Sequence, residues 1–367
     1  MKTNVLDKLL KRKWTPELIE KYLGQFQSCL LTYASDEEIR QNAASGGTIT
    51  GLLIHLLESG EIDGALVCTT RVEGNEVKAD YKIATSRAQL IEAQGSKYIE
   101  THFPHDAIPM IKEFTGKLAL VLLPCDTWIV NRLRQTHPDI NKKIRLTVTL
   151  FCGHVSDPGL TRLVVRKNKL AGVSLTSFRY RVGHWRGNMR FSFEDTTLLE
   201  KAFNIFSDYQ NLYFFCARKC LQCHDHTGYD CDVSVGDVWL MSMKNNPIKH
   251  NAVIVRSKRA EADFQAANKA GKIQIQSVPA ELIADAQSRS LFIHYNVSAR
   301  AKAGKLLGLT LSDQVHQRVR LIDFIIAFII LFNYQWTSTL RGRLFIGRVP
   351  KPLLKFYLYV LKGLEIL

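Results

Sequence analysis

Three cysteines fall within eight residues, at Cys216, Cys220 and Cys223, followed by Asp225 and the run Cys231-Asp232-Val233-Ser234-Val235-Gly236-Asp237-Val238-Trp239. Thiolates spaced by two or three residues can close on one metal ion or one cluster without stretching the backbone. Two more cysteines stand where short apolar runs end, Cys125 after Leu123-Pro124 and Cys152 after Leu150-Phe151. With Cys220 and Cys223 they make four thiolates, the number that holds a 4Fe-4S cluster, and Cys216 is a spare. Four thiolates also suit structural zinc, although zinc usually draws on two close pairs rather than one dense group and two isolated residues. The plainer reading makes Cys125 and Cys152 small buried hydrophobes. Cys29, Cys68 and Cys231 have no ligand spacing and are expected to pack.

A second set of residues could hold an anion. Ser45-Gly46-Gly47-Thr48-Ile49-Thr50 opens an apolar helical pattern, where free backbone N–H groups and the helix dipole favour phosphate. Gly95-Ser96-Lys97-Tyr98 follows similar logic, with Lys97 as counter-charge and Tyr98 as a stacking face, or else forms a surface turn. No acid–base pair of carboxylates stands out. A nucleophile elbow, a Walker loop and the dinucleotide glycine fingerprint are all missing, so hydrolase and P-loop chemistry have no foothold.

The elements that must position these groups read as an α/β fold. A helical pattern covers about residues 15–33, and Ser35-Asp36-Glu37-Glu38 caps a short helix to about residue 42. After the apolar helix come strands at Ala65–Cys68, Val77–Ala84, Leu118–Leu123 and Ile144–Phe151, with a helix over 126–135. The run ending at Pro124 suits a strand buried on both faces. In open α/β sheets ligands sit at strand C-termini, where Cys125 and Cys152 fall. Beyond Gly172, short strands near 172–180 and 189–194 precede a helix near 197–208 and the cysteine loop. Strands at Val233–Val238, Ala252–Val255 and Ile273–Val278, a helix at 258–270 and helical residues 280–306 complete the pattern. The expected architecture is a mixed sheet core with flanking helices, a cysteine-bearing loop region and a C-terminal helical appendage. Its segments are 1–43 (N-terminal, helical), 44–171 (α/β core), 172–306 (α/β with the cysteine loop) and 307–367 (basic and apolar).

The chain has 367 residues and a formal net charge of +15. Its first residues lack a continuous apolar core and a small-residue cleavage site, so the expected compartment is the cytoplasm, where thiols stay reduced. The charge is uneven: from Arg300 to Leu367 there are eleven Lys or Arg against Asp313, Asp323 and Glu365. The apolar run Leu321–Phe332 is too short to cross a bilayer, and basic residues follow it. That pairing fits either a helix lying on an anionic membrane face or one docked on the core with a solvated basic flank. The long aliphatic stretches argue against nucleic acid.

Several motifs, taken in order, resemble one family. They are Ala44-Ser45-Gly46-Gly47-x-x-Thr50, Leu57-Glu58-Ser59-Gly60-Glu61-Ile62-Asp63-Gly64-Ala65 and Gly95-Ser96-Lys97-Tyr98, then Pro124-Cys125 and Phe151-Cys152. The series ends in Cys220-x-x-Cys223-x-Asp225 with Asp232-Val233-Ser234-Val235-Gly236-Asp237-x-Trp239. Over roughly residues 30–290 the chain resembles the beta subunits of coenzyme F420 (deazaflavin) hydrogenases and dehydrogenases, including members found in bacterial polysaccharide biosynthesis. The resemblance implies an iron–sulfur flavoprotein oxidoreductase carrying FAD and a 4Fe-4S cluster, with a deazaflavin coenzyme or a ferredoxin-type protein as redox partner. It puts Ser45, Gly46, Gly47 and Thr50 at or near the flavin phosphates, Lys97 and Tyr98 at the flavin pocket, and the cluster on Cys125, Cys152, Cys220 and Cys223. The sequence departs from the family in three ways. It has no N-terminal ferredoxin-like cysteine array, it has Asp126 where Gln is common, and His224 and His226 flank Asp225. The competing expectation is a zinc-stabilised, non-enzymatic accessory protein of surface-polysaccharide synthesis, held at the inner face of the membrane by its C-terminus.

Overall fold

The computed structural model describes residues 13–365; the N-terminal stretch on which the leader reading partly rests lies outside them up to residue 12. Five strands come first: β1 (Ser28–Ala34), β2 (Gly64–Glu73), β3 (Glu76–Ala84), β4 (Leu118–Leu122) and β5 (Ile144–Leu150). A meander of β6 (Leu175–Val182), β7 (Asn188–Phe193) and β8 (Leu198–Ala202) follows, then β9 (Val233–Asp237), β10 (Asn251–Val255) and β11 (Ile273–Ser277). Eight of them form one mixed sheet in the order β11-β1-β10-β9-β5-β4-β2-β3, and β6-β7-β8 form a small sheet of their own. The centre is parallel, β2 to β4 to β5 to β9, and β3, β10, β1 and β11 add on antiparallel at the two sides. The large sheet therefore draws strands from the segments 1–43, 44–171 and 172–306 alike.

Period-two alternation sends neighbouring side chains of each central strand to opposite faces. Ala119 and Val67 join a core with Leu52, Leu53 and Leu56 of the helix Thr48–Glu58, while Leu120 and Leu66 face Phe103, Ala107 and Val130 on the other side. Both faces are covered, which is why β4 reads as a continuous apolar run. A third cluster packs Ile19 and Leu23 against Leu31, Ile254 and Ile283.

Three expectations are corrected. The helical pattern over 15–33 is a helix only at Pro16–Leu23, after which Ser28–Ala34 is β1, paired on both sides by β10 and β11. Cys29-Leu30-Leu31 is buried on both faces, and a short apolar run of that kind has no period to separate strand from helix. The helix expected near 197–208 is instead strand β8 followed by Asn204–Gln210. The apolar helix at the C-terminus does not stop at Phe332 but runs from Leu321 to Ser338.

That helix docks on the body. Ala327, Ile330 and Leu331 enter the core shared with Phe191, Phe206 and Leu212. Asn333 Nδ2 donates to the Leu212 carbonyl at 2.9 Å, the Phe215 N–H donates to Thr337 Oγ1 at 2.8 Å, and Tyr357 Oη donates to Asn333 Oδ1 at 2.8 Å. Arg343 adds an ion pair with Asp157, the N-cap of the helix Pro158–Asn168.

Candidate functional site

Cys125 is the second residue of the helix that Pro124 opens directly after β4, and Cys152 follows β5 by two residues. Cys220 lies within the 3-10 turn Arg218–Gln222 and Cys223 caps it. The topology brings these segments together at the C-terminal edge of the parallel strands. All four thiols line one cavity of about 350 Å³, counting its opening to solvent, together with His154, Lys219 and His294. All eight cysteines are free. Cys216 is buried and does not line the cavity, its thiol donating to the Ala217 carbonyl at 3.4 Å. Cys29 and Cys231 are buried and do not line this cavity.

The loop is held from several sides. Asp225 accepts the N–H groups of Thr227, Gly228 and Tyr229 at 2.7–3.1 Å, closing a turn that carries Cys223 toward β9. Gly228 is required there: its φ is +78°, and an added Cβ would stand 2.3 Å from Thr149 Cγ2 on β5. His226 ties the turn to the β5 loop, its carbonyl accepting the Cys152 N–H at 2.9 Å. Arg300 passes behind the loop with 2% exposure and donates to the carbonyls of Leu221 and Cys223 at 2.6 Å and of His294 at 3.2 Å. Its acceptors are neutral, so a positive charge is buried beside the cysteines with only carbonyls to balance it.

The cavity is short of partners. Burial, followed by the Asp126 carboxyl, pushes the Cys125 thiol up; burial and then the neighbouring cysteines push Cys152 up and take Cys223 to about 12. Cys220 is held down, first by the neighbouring Cys216 thiol. Burial lifts the Asp126 carboxyl to about 6. Among the described residues, His154 Nε2, Ser156 Oγ and His294 Nδ1 are buried without a hydrogen-bond partner, and both histidines line this cavity. Crowded thiols, an uncompensated cation and unsatisfied polar atoms fit a bound anionic group with several acceptor sulfurs.

The second cavity, about 340 Å³ with its opening, lies between the small sheet and the end of β9. Arg181, Arg186, Lys249, Trp185, Trp239 and Ser45 are among its walls. Arg181 is the buried anchor: Nη1 and Nη2 donate to the Asp237 carboxylate at 2.7 and 3.3 Å, Nη2 to the Ala44 carbonyl and Nη1 to Tyr98 Oη. Its guanidinium lies 4.9 Å from the centre of the Trp239 ring. Lys249, whose ammonium donates to the Ala43 carbonyl at 2.5 Å, is lowered to about 8 by burial and then by Arg181.

The residues expected near an anion divide. Ser45 reaches this cavity and donates to the His250 carbonyl, and Tyr98 touches it through Arg181. Both glycines have packing reasons. A Cβ on Gly46 would stand 2.7 Å from the Thr32 carbonyl and 2.9 Å from the Asn251 nitrogen, and Gly47 caps its helix with φ +77°. Thr50 is buried and lines neither cavity, and the Thr48 N–H is taken by Asn251 Oδ1 at 3.2 Å. Lys97 turns inward, donating to the carbonyls of Ala93, Gln94 and Gly95 at the end of a short helix, and burial lowers it to about 8.

Residues 29–105 match the sequence profile of the coenzyme F420 hydrogenase/dehydrogenase beta subunit N-terminal region, and residues 115–281 match that of its C terminus. The chain belongs to the coenzyme F420 hydrogenase/dehydrogenase beta subunit family. Relatives include the coenzyme F420 hydrogenase subunit beta of Methanosarcina barkeri, 30% identical over 36% of this chain and 46% of that one. The subunit of the same name from Methanothermobacter thermautotrophicus is 33% identical over 35% and 47%. In these two the chain therefore spans about half of the relative's length. The Methanococcus voltae subunit is 22% identical over 70% of this chain and 86% of its own. A chain of the F420-reducing [NiFe] hydrogenase complex from Methanosarcina barkeri shares the fold, with a TM-score of 0.61 at 19% identity over 83% of this chain and 99% of that one.

Sequence reading missed Arg181 and Arg300. Neither lies in a motif, and both matter through partners 56 and 77–79 positions away. The signal available was indirect: Asp237 closes the Val-Ser-Val-Gly-Asp run and needs a cation, and Arg300 lies in a stretch that otherwise reads as plain helix.

Proposed function

We propose that this chain is an iron–sulfur flavoprotein of the electron-transfer type. Cys125, Cys152, Cys220 and Cys223 would hold a 4Fe-4S cluster, and FAD would be bound at the second cavity, which Ser45 lines and Tyr98 reaches through Arg181, while Gly46, Gly47, Thr50 and Lys97 would act only by shaping the backbone beside it. Electrons would pass to or from a deazaflavin coenzyme or a ferredoxin-type protein. The observation that carries the reading is the convergence of four thiols from three separate segments on one cavity, backed by the buried Arg300. One close pair of cysteines and two isolated ones, each after a strand, suit a cluster set into the fold better than the two close pairs usual for structural zinc.

When bound, a flavin exchanges electrons in pairs and an iron–sulfur cluster one at a time, which is what joins a two-electron carrier to one-electron partners. The chain's own work is positioning and electrostatics. The Asp225 turn and the two strand ends fix the thiols, and Arg300 supplies positive charge where sulfur would carry negative charge. Arg181 and Lys249, with Trp185 and Trp239, offer cations and flat rings to an anionic aromatic group at the second cavity. No strong acid or base is required.

Anaerobic purification with a visible spectrum and assays of iron, zinc, sulfide and released flavin tests the proposal. It predicts a broad band bleached by dithionite, about four iron per chain and FAD. A colourless protein carrying zinc, or no metal, would overturn it.

A further inference from the structure

The three helices at the C-terminus each carry two apolar stripes, and only one of them is used for packing. On Leu321–Ser338 the docked face is Ala327, Ile330, Leu331, Asn333 and Thr337, while Leu321, Ile325, Phe332 and Trp336 lie exposed on the opposite side. Those four recur at helical spacing and make a bare stripe about 22 Å long. On Lys351–Leu364, Leu354, Leu358 and Leu361 pack, and Leu353, Phe356 and Val360 are exposed opposite them. Leu340, Leu344 and Phe345 are bare on the helix between. The bare stripes of Leu321–Ser338 and of the helix between are continuous, since the Trp336 ring lies 5.4 Å from Phe332 and 5.6 Å from Phe345.

Charge says what covers this face. From Leu321 to Leu364 the one acidic residue is Asp323, which is paired with Arg320, against six Lys or Arg. Arg343 is taken by Asp157, whereas Arg341, Arg348, Lys351 and Lys355 stand exposed on the segments that carry the bare stripes. Large aliphatic and aromatic side chains with a cationic border and one acid, itself paired, are complementary to a surface that is apolar inside and negative at its rim. Leu321–Ser338 is also long and apolar enough to cross a membrane by length and composition. Its other face, however, is bonded to the body through Asn333 and Thr337, so spanning would break buried hydrogen bonds.

We infer that the C-terminal helices seat this protein on an anionic phospholipid surface, with Leu321–Ser338 lying along the membrane plane. The surface is separate from both cavities, so the inference does not depend on which cofactors they hold.

The test is co-sedimentation of the full chain with phosphatidylcholine vesicles, with and without phosphatidylglycerol. Binding is expected to the anionic vesicles and to fall steeply with salt. Arg341→Gln, Arg348→Gln and Lys351→Gln each should weaken it about fivefold, and Leu340→Ser with Phe345→Ser should abolish it. Leu198→Ser, an equally exposed apolar side chain on β8, should change nothing. Circular dichroism and melting of every variant separate lost binding from lost fold. Equal affinity for neutral vesicles, or none for either, overturns the inference. So does a concentration-dependent dimer in sedimentation velocity that Phe345→Ser dissolves, which would assign the face to a second copy of the chain.

Discussion

Replacing Asp237 with alanine strands a guanidinium. Arg181 is 2% exposed and gives Asp237 two hydrogen bonds, while its other acceptors, the Ala44 and Arg186 carbonyls and Tyr98 Oη, are neutral. Removing one partner of a buried pair costs about 3–5 kcal/mol, because the remaining charge stays desolvated. Asp237 keeps 20% exposure, so water can reach part of the gap, which puts the expectation at the lower end, about 3 kcal/mol. With a urea m-value of about 3 kcal/mol/M the midpoint should fall by about 1 M. The double variant Arg181→Met with Asp237→Ala buries no charge and should recover at least about 1.5 kcal/mol of that loss. Urea unfolding of the anaerobically purified protein, followed by circular dichroism and by tryptophan fluorescence, measures both. Trp239 lies against Arg181 and reports the local change. An Asp237→Ala protein within about 0.5 kcal/mol of wild type, or a strictly additive double variant, would refute the view that this pair is a desolvated unit at the floor of the second cavity.

Other expectations follow from the same geometry. Serine at Cys125, Cys152, Cys220 or Cys223 should each reduce bound iron to below about one per chain, while Cys216→Ser should retain it; iron analysis decides, and the opposite pattern would move Cys216 into the ligand set. Lys97, held at about 8 by burial, binds fewer protons folded than unfolded between that pH and the ordinary lysine range. Its share of the stability therefore rises with pH through that window, by at most about 1.4 kcal/mol per pH unit. The advantage of Lys97→Met over wild type in urea should accordingly shrink from pH 8 to pH 10; a constant difference would mean Lys97 is not desolvated. Asn333→Leu leaves the Leu212 carbonyl and the Tyr357 hydroxyl without partners, for a cost of about 2–4 kcal/mol and a lower melting temperature; an unchanged one would mean the C-terminal helix is not integral to the fold.

Much of the candidate site was legible from local rules. The cysteine spacing and the apolar runs that stop at Pro124-Cys125 and Phe151-Cys152 are properties of short stretches, and so is the order of strands and helices. Elements with a clear period or a clear boundary came through, such as the helix Thr48–Glu58 and the strand Leu118–Leu122. β1 did not, because a strand buried on both faces loses the alternation that would identify it. The Gly46-Gly47 pair shows the same limit in the site: its residues suggest close approach to a phosphate, and the nearest atoms belong to Thr32, Asn251 and Ile39 of this chain.

By itself the sequence determined where cysteines stand at ligand spacing, two after apolar runs and three in one dense group, and where its charge accumulates. Only the tertiary structure decided that four cysteines from three segments share one cavity. It also decided that Arg300 and Arg181 are buried, the one among carbonyls and the other against Asp237, and that the C-terminal helix packs one face and leaves the other bare. The reason is physical. Spacing and periodicity act within a turn or a strand, whereas burial of a charge or a stripe depends on which distant element the topology lays against it.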